Sequence, residues 1–260
     1  MSAVLVTGST DGIGRQVARQ LAAAGTRVIV HGRSKAKVDA TLEALRGELP
    51  GASLDGVAFD LGRLSEVRRG AEQLAKLGVT VLVNNAGVFA SERVLTADGI
   101  ELTFAVNHVG PFLLTELLAG GLERVVNVAS IAHTRGRIAF EDLTLANGFT
   151  GYAAYAQSKL ANVMHALSLH DHHANLAAYS VHPGAVATKL LRAGFGPIAG
   201  ATPEHGARTI VRLAGAPAVE EPTGSYFSEG IATPPSSVAR DAQAREQLWD
   251  ASVRLSKLHG

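Results

Sequence analysis

Tyr155 and Lys159 stand four residues apart in Tyr155-Ala156-Gln157-Ser158-Lys159, a spacing that puts both on one face of a helix. An ammonium one turn from a phenol favours the phenolate and draws the phenol's pKa down from about 10. A tyrosine tuned in this way is an acid suited to protonating an alkoxide oxygen as hydride reaches a carbonyl carbon. Tyr152 has Ala156 four residues on, so Tyr155 is the better candidate, although a Tyr-x-x-x-Lys pair alone is common. Ser130 follows the apolar run Val125–Val128, which places it at the carboxyl end of a strand, the edge where open α/β sheets bind ligands. Its hydroxyl is placed to orient a substrate carbonyl; a turn-capping serine is the plainer alternative. Asn107 lies in the helical stretch Leu102–Leu118, between Val106 and His108-Val109. A polar side chain there needs a buried partner and could anchor a water that relays protons to Lys159.

Such chemistry needs a hydride donor, and the amino terminus offers a place for one. An apolar run ending at Val6 leads into Thr7-Gly8-Ser9-Thr10-Asp11-Gly12-Ile13-Gly14, and a helical pattern follows at once. Gly8 permits the tight turn, Gly12 lets backbone approach a pyrophosphate, and Gly14 lets helix sit close to strand, with the helix amino terminus facing the anion. About 20 residues past such a turn, an NAD-specific domain carries an acid for the ribose 2′-hydroxyl. Here that place is Gly32, followed by Arg33 and Ser34. An arginine clasps a 2′-phosphate where an acid would repel it. Ser34 and Ser9 are expected to add hydroxyl contacts and Arg15 a more distant positive field, so the cofactor expected is NADP(H). Asp60-Leu61, after the third strand, is expected at the adenine edge, with an N-cap for a helix near Ser65 as the alternative. Asn84-Asn85-Ala86-Gly87 ends the fourth strand, where Asn85, Ala86 and Gly87 are small enough to pack against the cofactor ribose.

The elements that must position these residues are visible as short, largely β-branched runs: Val4–Val6, Val28–Val30, Val79–Val83, Val125–Val128 and the segment around Ser180–His182. Continuous runs without in–out alternation are strands covered on both faces. Between them lie helical patterns: Val17, Leu21 and Ala24; Val38, Leu42 and Leu45; Val67, Ala71 and Leu74. The expectation is one α/β domain over residues 1–260, a doubly wound parallel sheet with helices on both faces, the Rossmann architecture. Residues 190–202, glycine-rich and containing Pro197, read as a mobile substrate loop. Thr202 caps a helix opened by Pro203, and a last helix is expected over 236–258.

Composition excludes other classes. With a formal net charge of +1 and 5% aromatic residues, the chain lacks the basic stripe and stacking residues of a nucleic-acid binder. It has no cysteine, which removes disulfides and thiolate chemistry and suits a reducing, cytoplasmic setting. No signal peptide and no run of about 18 uninterrupted apolar residues is found, so no membrane span is expected. His165, His170, His172 and His173 with Asp171 read as a solvated helix end rather than a metal site. His133 is read either as lining the substrate pocket or as a surface-loop histidine.

Taken together, Asn107, Ser130, Tyr155 and Lys159, the glycine turn, Asn84–Gly87 and His182-Pro183-Gly184 with Thr188 resemble the short-chain dehydrogenase/reductases in their NADP-preferring form. The resemblance covers nearly the whole chain. Val126-Asn127-Val128-Ala129-Ser130, the 25-residue gap to Tyr155, Ser158–Asn162, Tyr226-Phe227-Ser228 and Leu248-Trp249 resemble the retinol dehydrogenase and WW-domain oxidoreductase branch. The resemblance implies that Tyr155 is the acid/base and that Lys159 lowers its pKa and bonds the nicotinamide ribose. It further implies that Ser130 orients the carbonyl and Asn107 holds a relay water. Pro183, Gly184, Val186 and Thr188 would pack beside the nicotinamide, with Thr188 reaching the carboxamide. Asp11 departs from the pattern by bringing negative charge to the phosphate turn, as does Ala129 where a second serine is frequent. The expected partner is a small carbonyl or alcohol, lipophilic from the loops at 132–151 and 190–202. Relatives form homodimers and homotetramers through the helices holding Asn107 and Tyr155, and also occur as monomers. The rival readings are a catalytically silent NADP(H) sensor on the same fold, and an epimerase or dehydratase, for whose extra domain the chain has little room.

Overall fold

The computed structural model describes residues 3–196 and 199–258; Pro197, counted with the substrate loop, lies outside them. Three strand–helix units open the chain: β1 (Ala3–Val6) and α1 (Gly12–Ala23), β2 (Arg27–Gly32) and α2 (Lys35–Glu48), β3 (Leu54–Ala58) and α3 (Leu64–Leu77). β4 (Val79–Asn84) leads to a helical column made of α4 (Leu102–Phe104), a π turn (Ala105–Val109) and α5 (Gly110–Leu118). β5 (Arg124–Val128) is followed by a 3₁₀ turn (Ile131–Arg135) and the long helix α6 (Gly151–His172). β6 (Ala177–His182), α7 (Lys189–Phe195) and α8 (Pro203–Gly215) precede β7 (Tyr226–Ser228) and β8 (Ile231–Thr233). The chain closes with α9 (Ser237–Arg240) and α10 (Ala242–Ser256).

The sheet order is β3-β2-β1-β4-β5-β6-β7-β8. Every pairing is parallel except the last, between β7 and β8. Because successive side chains alternate faces, β1 serves two cores: Ala3 and Leu5 join Ile29, Leu82 and Val125 under α3, α5 and α6. Val4 and Val6 join Val28, Val30 and Val126 under α1, α2 and α8. Burial on both sides is why these strands read as unbroken apolar runs. The strand order reverses between β1 and β4, and a crevice opens at their carboxyl ends at such a switch point.

Three boundaries differ from the sequence reading. Within 190–202 the chain forms α7, because the Thr188 hydroxyl accepts from Leu191 N (3.2 Å) and caps its first turn. The last helix is divided, with Asp241 ending α9 and capping α10 through Ala244 N (3.1 Å). The π turn interrupts the Leu102–Leu118 helix at Asn107. Leu102–Gly121 is long and apolar enough to cross a membrane by length and composition, but 72% of that window is buried inside this fold.

Candidate active site

Two loops meet at the switch point. Thr7 joins them, accepting from the amides of Asn85 (3.0 Å) and Ala86 (3.1 Å) while its hydroxyl donates to Val83 O (3.1 Å). Asn85 Nδ2 donates back to Thr7 O at 2.8 Å. The approach demands glycine: a Cβ on Gly8, where φ is +64°, would meet Ala86 Cα at 2.9 Å, and one on Gly14 would lie 2.5 Å from Gly8 O. His31 closes the turn from the other side. Its Nδ1 accepts from Gly8 N (3.1 Å), its Nε2–H donates to Phe59 O (3.1 Å), and complete burial holds its pKa down at about 4. It is therefore a neutral spacer in one tautomer. Neither Thr7 nor His31 stood out in the sequence, since each acts through backbone brought in from a neighbouring strand.

The structure corrects several expected contacts around this turn. Ser9 is fully buried, its Oγ accepting from His31 N at 2.9 Å, so it ties the turn to β2 and is withdrawn from a ribose phosphate. Arg15 is paired with Glu48 at 2.5 Å, which compensates its field. Asp60 does not cap α3; its Oδ1 accepts from Gly62 N (2.8 Å), and Arg63 occupies the cap position. The side chains of Leu61 and Val186 are in the interior, leaving only their backbones for a ligand. Thr10 lies over Gly32, where a Cβ would meet its Cγ2 at 2.7 Å. Arg33 is exposed at the end of β2, without a protein partner among the described residues, and the Ser34 side chain makes no capping bond. Ile13 and Gly14 sit in the first turn of α1, where amides have no intrahelical acceptor. Asp11 caps Gly12 N (2.8 Å) and pairs with Lys189 at the start of α7 (2.5 Å), which holds its carboxyl below the ordinary range. The charge that departs from the family pattern is thus compensated in place. Thr188 also approaches the turn, its Cγ2 being 3.4 Å from where a Gly12 Cβ would stand. Pro183 and Gly184 follow β6 and are half-buried.

Across the crevice, α6 carries Tyr155 and Lys159, both buried. Burial pushes the Tyr155 hydroxyl up to about 12, opposed by its hydrogen bond with Ser130 and reinforced by Tyr152. Lys159 is pushed down to about 8, again by burial. Its Nζ donates to Val128 O (2.9 Å) and lies 5.6 Å from the centre of the Tyr155 ring. The expected lowering of Tyr155 by Lys159 does not appear here. The ammonium lies toward the ring and is anchored on a carbonyl, and desolvation outweighs its charge. Tyr155 is accordingly protonated at neutral pH, the state an acid requires. Ser130 follows β5, and its Oγ accepts from Ala132 N (3.2 Å), so it both caps a turn and faces Tyr155. Gly87 opens toward the same space: a Cβ there would lie 3.6 Å from Lys159 Nζ, 3.5 Å from Asn107 Oδ1 and 3.6 Å from Leu190. The outer wall is apolar, with Phe89 and Phe195 each 5.8 Å from Tyr155 ring to ring.

Asn107 sits in the π turn with its side chain already committed. Oδ1 accepts from Val88 N (2.8 Å), while Nδ2 donates to Val88 O (3.1 Å) and Ser158 Oγ (2.9 Å). A relay water is therefore not the side chain's to hold. The backbone offers an alternative: residue 111, four positions on, is proline and has no N–H for the Asn107 carbonyl. Pro111 was the sequence signal for this, and π turns recur at functional positions.

The histidine-rich end of α6 is not uniformly solvated. His165 is buried, with Asn127 Nδ2 donating to its Nδ1 at 3.2 Å. His172 stacks on Trp249 at 3.6 Å, and His173 bonds Glu116 at 3.0 Å.

A glycine turn at a sheet's switch point, faced by a buried tyrosine and lysine, is the arrangement of an alcohol/carbonyl oxidoreductase that borrows a nicotinamide dinucleotide. Comparison with known proteins narrows the class: residues 2–195 match the family model described as short chain dehydrogenase, and the chain belongs to that family. Polyprenol dehydrogenase of Mus musculus is 37% identical, covering 98% of this chain and 84% of the relative. Retinol dehydrogenase 12 of Homo sapiens is 35% identical, covering 97% and 85%. The short-chain dehydrogenase TIC 32 A, chloroplastic, of Brassica napus is 36% identical, covering 96% and 87%. Among solved structures, a Mycobacterium paratuberculosis protein superposes with a TM-score of 0.85 at 32% identity, covering 99% of this chain and 94% of that one. A metagenomic blue fluorescent protein in complex with NADPH gives 0.70 at 25% identity, covering 87% and 95%. The chain is an oxidoreductase of the retinol dehydrogenase-like type, using a nicotinamide cofactor on alcohol and carbonyl groups.

Proposed function

We propose that this protein is an NADP(H)-dependent carbonyl reductase or alcohol dehydrogenase acting on lipophilic ketones, aldehydes or the matching alcohols. The observation that carries the cofactor choice is Arg33, exposed at the end of β2 and without a partner among the described residues, with Gly32 where an NAD-specific domain would carry an acid. The turn fits the group, since backbone approaches at Gly8 and Gly14 leave no room for side chains, and Gly87 leaves the space beside Lys159 open. The amides of Ile13 and Gly14 would take the pyrophosphate, and Arg33 with Ser34 and Thr10 the 2′-phosphate. The backbones at Asp60-Leu61 would meet the adenine. Asn85, Ala86 and Gly87 would line the ribose, and Pro183, Gly184, Val186 and Thr188 the nicotinamide.

Bound there, the cofactor would supply the hydride that reduces a carbonyl carbon. In the same step, the Tyr155 hydroxyl releases its proton to the carbonyl oxygen, so that C=O becomes CH–OH. Ser130 donates a hydrogen bond to that oxygen and fixes its direction. Lys159, anchored on Val128 O, would hold the ribose and offers positive charge to the phenolate left behind. Asn107 holds the π turn against Val88, keeping its carbonyl available to the water that returns a proton. The walls of Phe89, Leu190 and Phe195, together with relatives named for polyprenol and retinol, support a lipophilic substrate. The lack of cysteine supports a cytoplasmic setting.

The test is loss of NADPH absorbance against lipophilic ketones, aldehydes and quinones, with NADH in parallel. Turnover with NADPH in preference to NADH is expected; equal use of both cofactors would remove the assignment to Arg33. Tight NADPH binding without turnover across the whole panel would favour the sensor reading instead.

A further inference from the structure

His133 is only 1% exposed and lies three residues after Ser130. Its Nδ1 is 2.8 Å from Ser130 O, a carbonyl that also accepts the His133 backbone N–H at 3.1 Å. Its Nε2 accepts from Ser236 N at 3.3 Å, from a residue 103 positions away that caps α9. Since one partner is a carbonyl and the other an amide, the proton must reside on Nδ1. The ring rests on Tyr226, 4.7 Å between centres, and bears electrostatically on His182. His133 thus neither lines the pocket nor sits in a surface loop, the two readings its sequence position allowed.

We propose that His133 is a positioning residue for Ser130, its imidazole clamping the Ser130 carbonyl to the amino terminus of α9 so that the serine hydroxyl stays beside Tyr155. Ser130 needs such a clamp, because it lies two residues past β5 and only caps one short 3₁₀ turn. Its Oγ is drawn toward Ala132 N as well as toward the reacting oxygen. Fixing the carbonyl fixes the peptide plane, and with it the arc on which Oγ can lie. Misplacement of an orienting group by about 1 Å is enough to cost up to roughly a hundredfold in rate. The inference rests on the role given to Ser130 above.

The experiment compares His133→Ala, His133→Asn and Ser130→Ala, using NADPH with phenanthrenequinone and amide hydrogen exchange over residues 129–136. Asparagine places its Nδ2 where Nδ1 stands and can still donate to Ser130 O, whereas alanine cannot. His133→Ala should lower kcat about tenfold or more, with the NADPH dissociation constant within about twofold and exchange accelerated. His133→Asn should recover most of kcat and most of the protection. A kcat in His133→Ala equal to that of the parent, while Ser130→Ala is inactive, would overturn the clamp and leave the role of Ser130 intact. Equal losses in the alanine and asparagine variants, following their melting temperatures, would reduce His133 to packing and also overturn it. Full activity in Ser130→Ala would overturn the reading of the site itself. If the parent does not turn over phenanthrenequinone, exchange decides: equal rates over 129–136 in parent and His133→Ala overturn the clamp, and faster exchange rescued by asparagine supports it.

Discussion

Lys159 is the residue whose chemistry works most directly against the fold. It is 3% exposed, has no carboxylate partner among the described residues, and burial moves its pKa from 10.5 to about 8, a displacement worth on the order of 3 kcal/mol. The penalty is borne in full below pH 8, where folded and unfolded chains both carry the proton. It shrinks between pH 8 and 10.5, where the unfolded chain binds more protons than the folded one, so stability rises with pH across that window. Lys159→Met should therefore abolish turnover yet raise the melting temperature at pH 7 by about 5 °C, the gain fading toward pH 10.5. Val128 O keeps a donor in Asn162 Nδ2 at 3.4 Å. A melting temperature that falls at pH 7 would show that the lysine is favourably solvated and the desolvation argument wrong. Arg33 lies at the other extreme, exposed and uninvolved in the fold. Arg33→Ala should leave the melting temperature unchanged and weaken NADPH about 10- to 100-fold, the value of charge-assisted hydrogen bonds to a phosphate. NADH should be affected less than about twofold; parallel losses, measured by cofactor fluorescence titration, would refute the contact.

At the scale of elements, what the sequence disclosed followed burial. β1, β2, β4 and β5 are covered on both faces and read as apolar runs, whereas β3 at the sheet edge mixes polar and small residues, with only Leu54 and Val57 of Leu54-Asp55-Gly56-Val57-Ala58 buried. β7 and β8 have three residues each, too few for any period to register. The glycines of 190–202 suggested a loop, but one local cap at Thr188 was enough to start α7 over Lys-Leu-Leu-Arg. The residues of the candidate site were legible because each is a chemical type at a fixed spacing. The roles of their supports, Thr7, His31, Val88 and His133, were not, because each works through a backbone group whose position only the fold sets: Thr7 and His31 through neighbouring strands, Val88 through the π turn, and His133 through Ser130 O and the start of α9. The contact between α7 and the glycine turn is another such support. Lys189 cancels the Asp11 charge that would otherwise face the pyrophosphate. Lys189→Ala should weaken cofactor binding several-fold with little change in melting temperature, since the pair is exposed and surface pairs contribute little to stability. Adding Asp11→Asn, which keeps the cap on Gly12 N, should restore the affinity. Failure of the second substitution to rescue the first, in titrations at matched ionic strength, would show that Lys189 contacts the cofactor itself.

On the scale of the whole molecule, the decisive feature is that one chain already buries α6 on nearly every side. From Ala154 to Leu169 all but Leu167 are buried, although this helix, with the column holding Asn107, is where family resemblance places the contact between subunits. The cover is α10, which sets Trp249 against Phe112 (5.0 Å, edge-on) and stacks it on His172. Ser252 Oγ meets His108 Nε2 at 2.8 Å, and Arg245–Asp171 and His172–Glu246 bind the margins. A helix lying there competes with a second copy for the face, so the chain is expected to be a monomer of 27.0 kDa by light scattering. Trp249 is the only tryptophan, so its emission reports whether α10 is docked. Trp249→Ala should cost about 3–5 kcal/mol as a buried aromatic deletion. By uncovering Phe112 and the outer face of α6, it should also make the protein associate as concentration rises. If the parent is instead a stable dimer whose cross-links join α6 to α6 while Trp249 keeps a buried emission, then α10 and a partner share the face, and the covering argument fails.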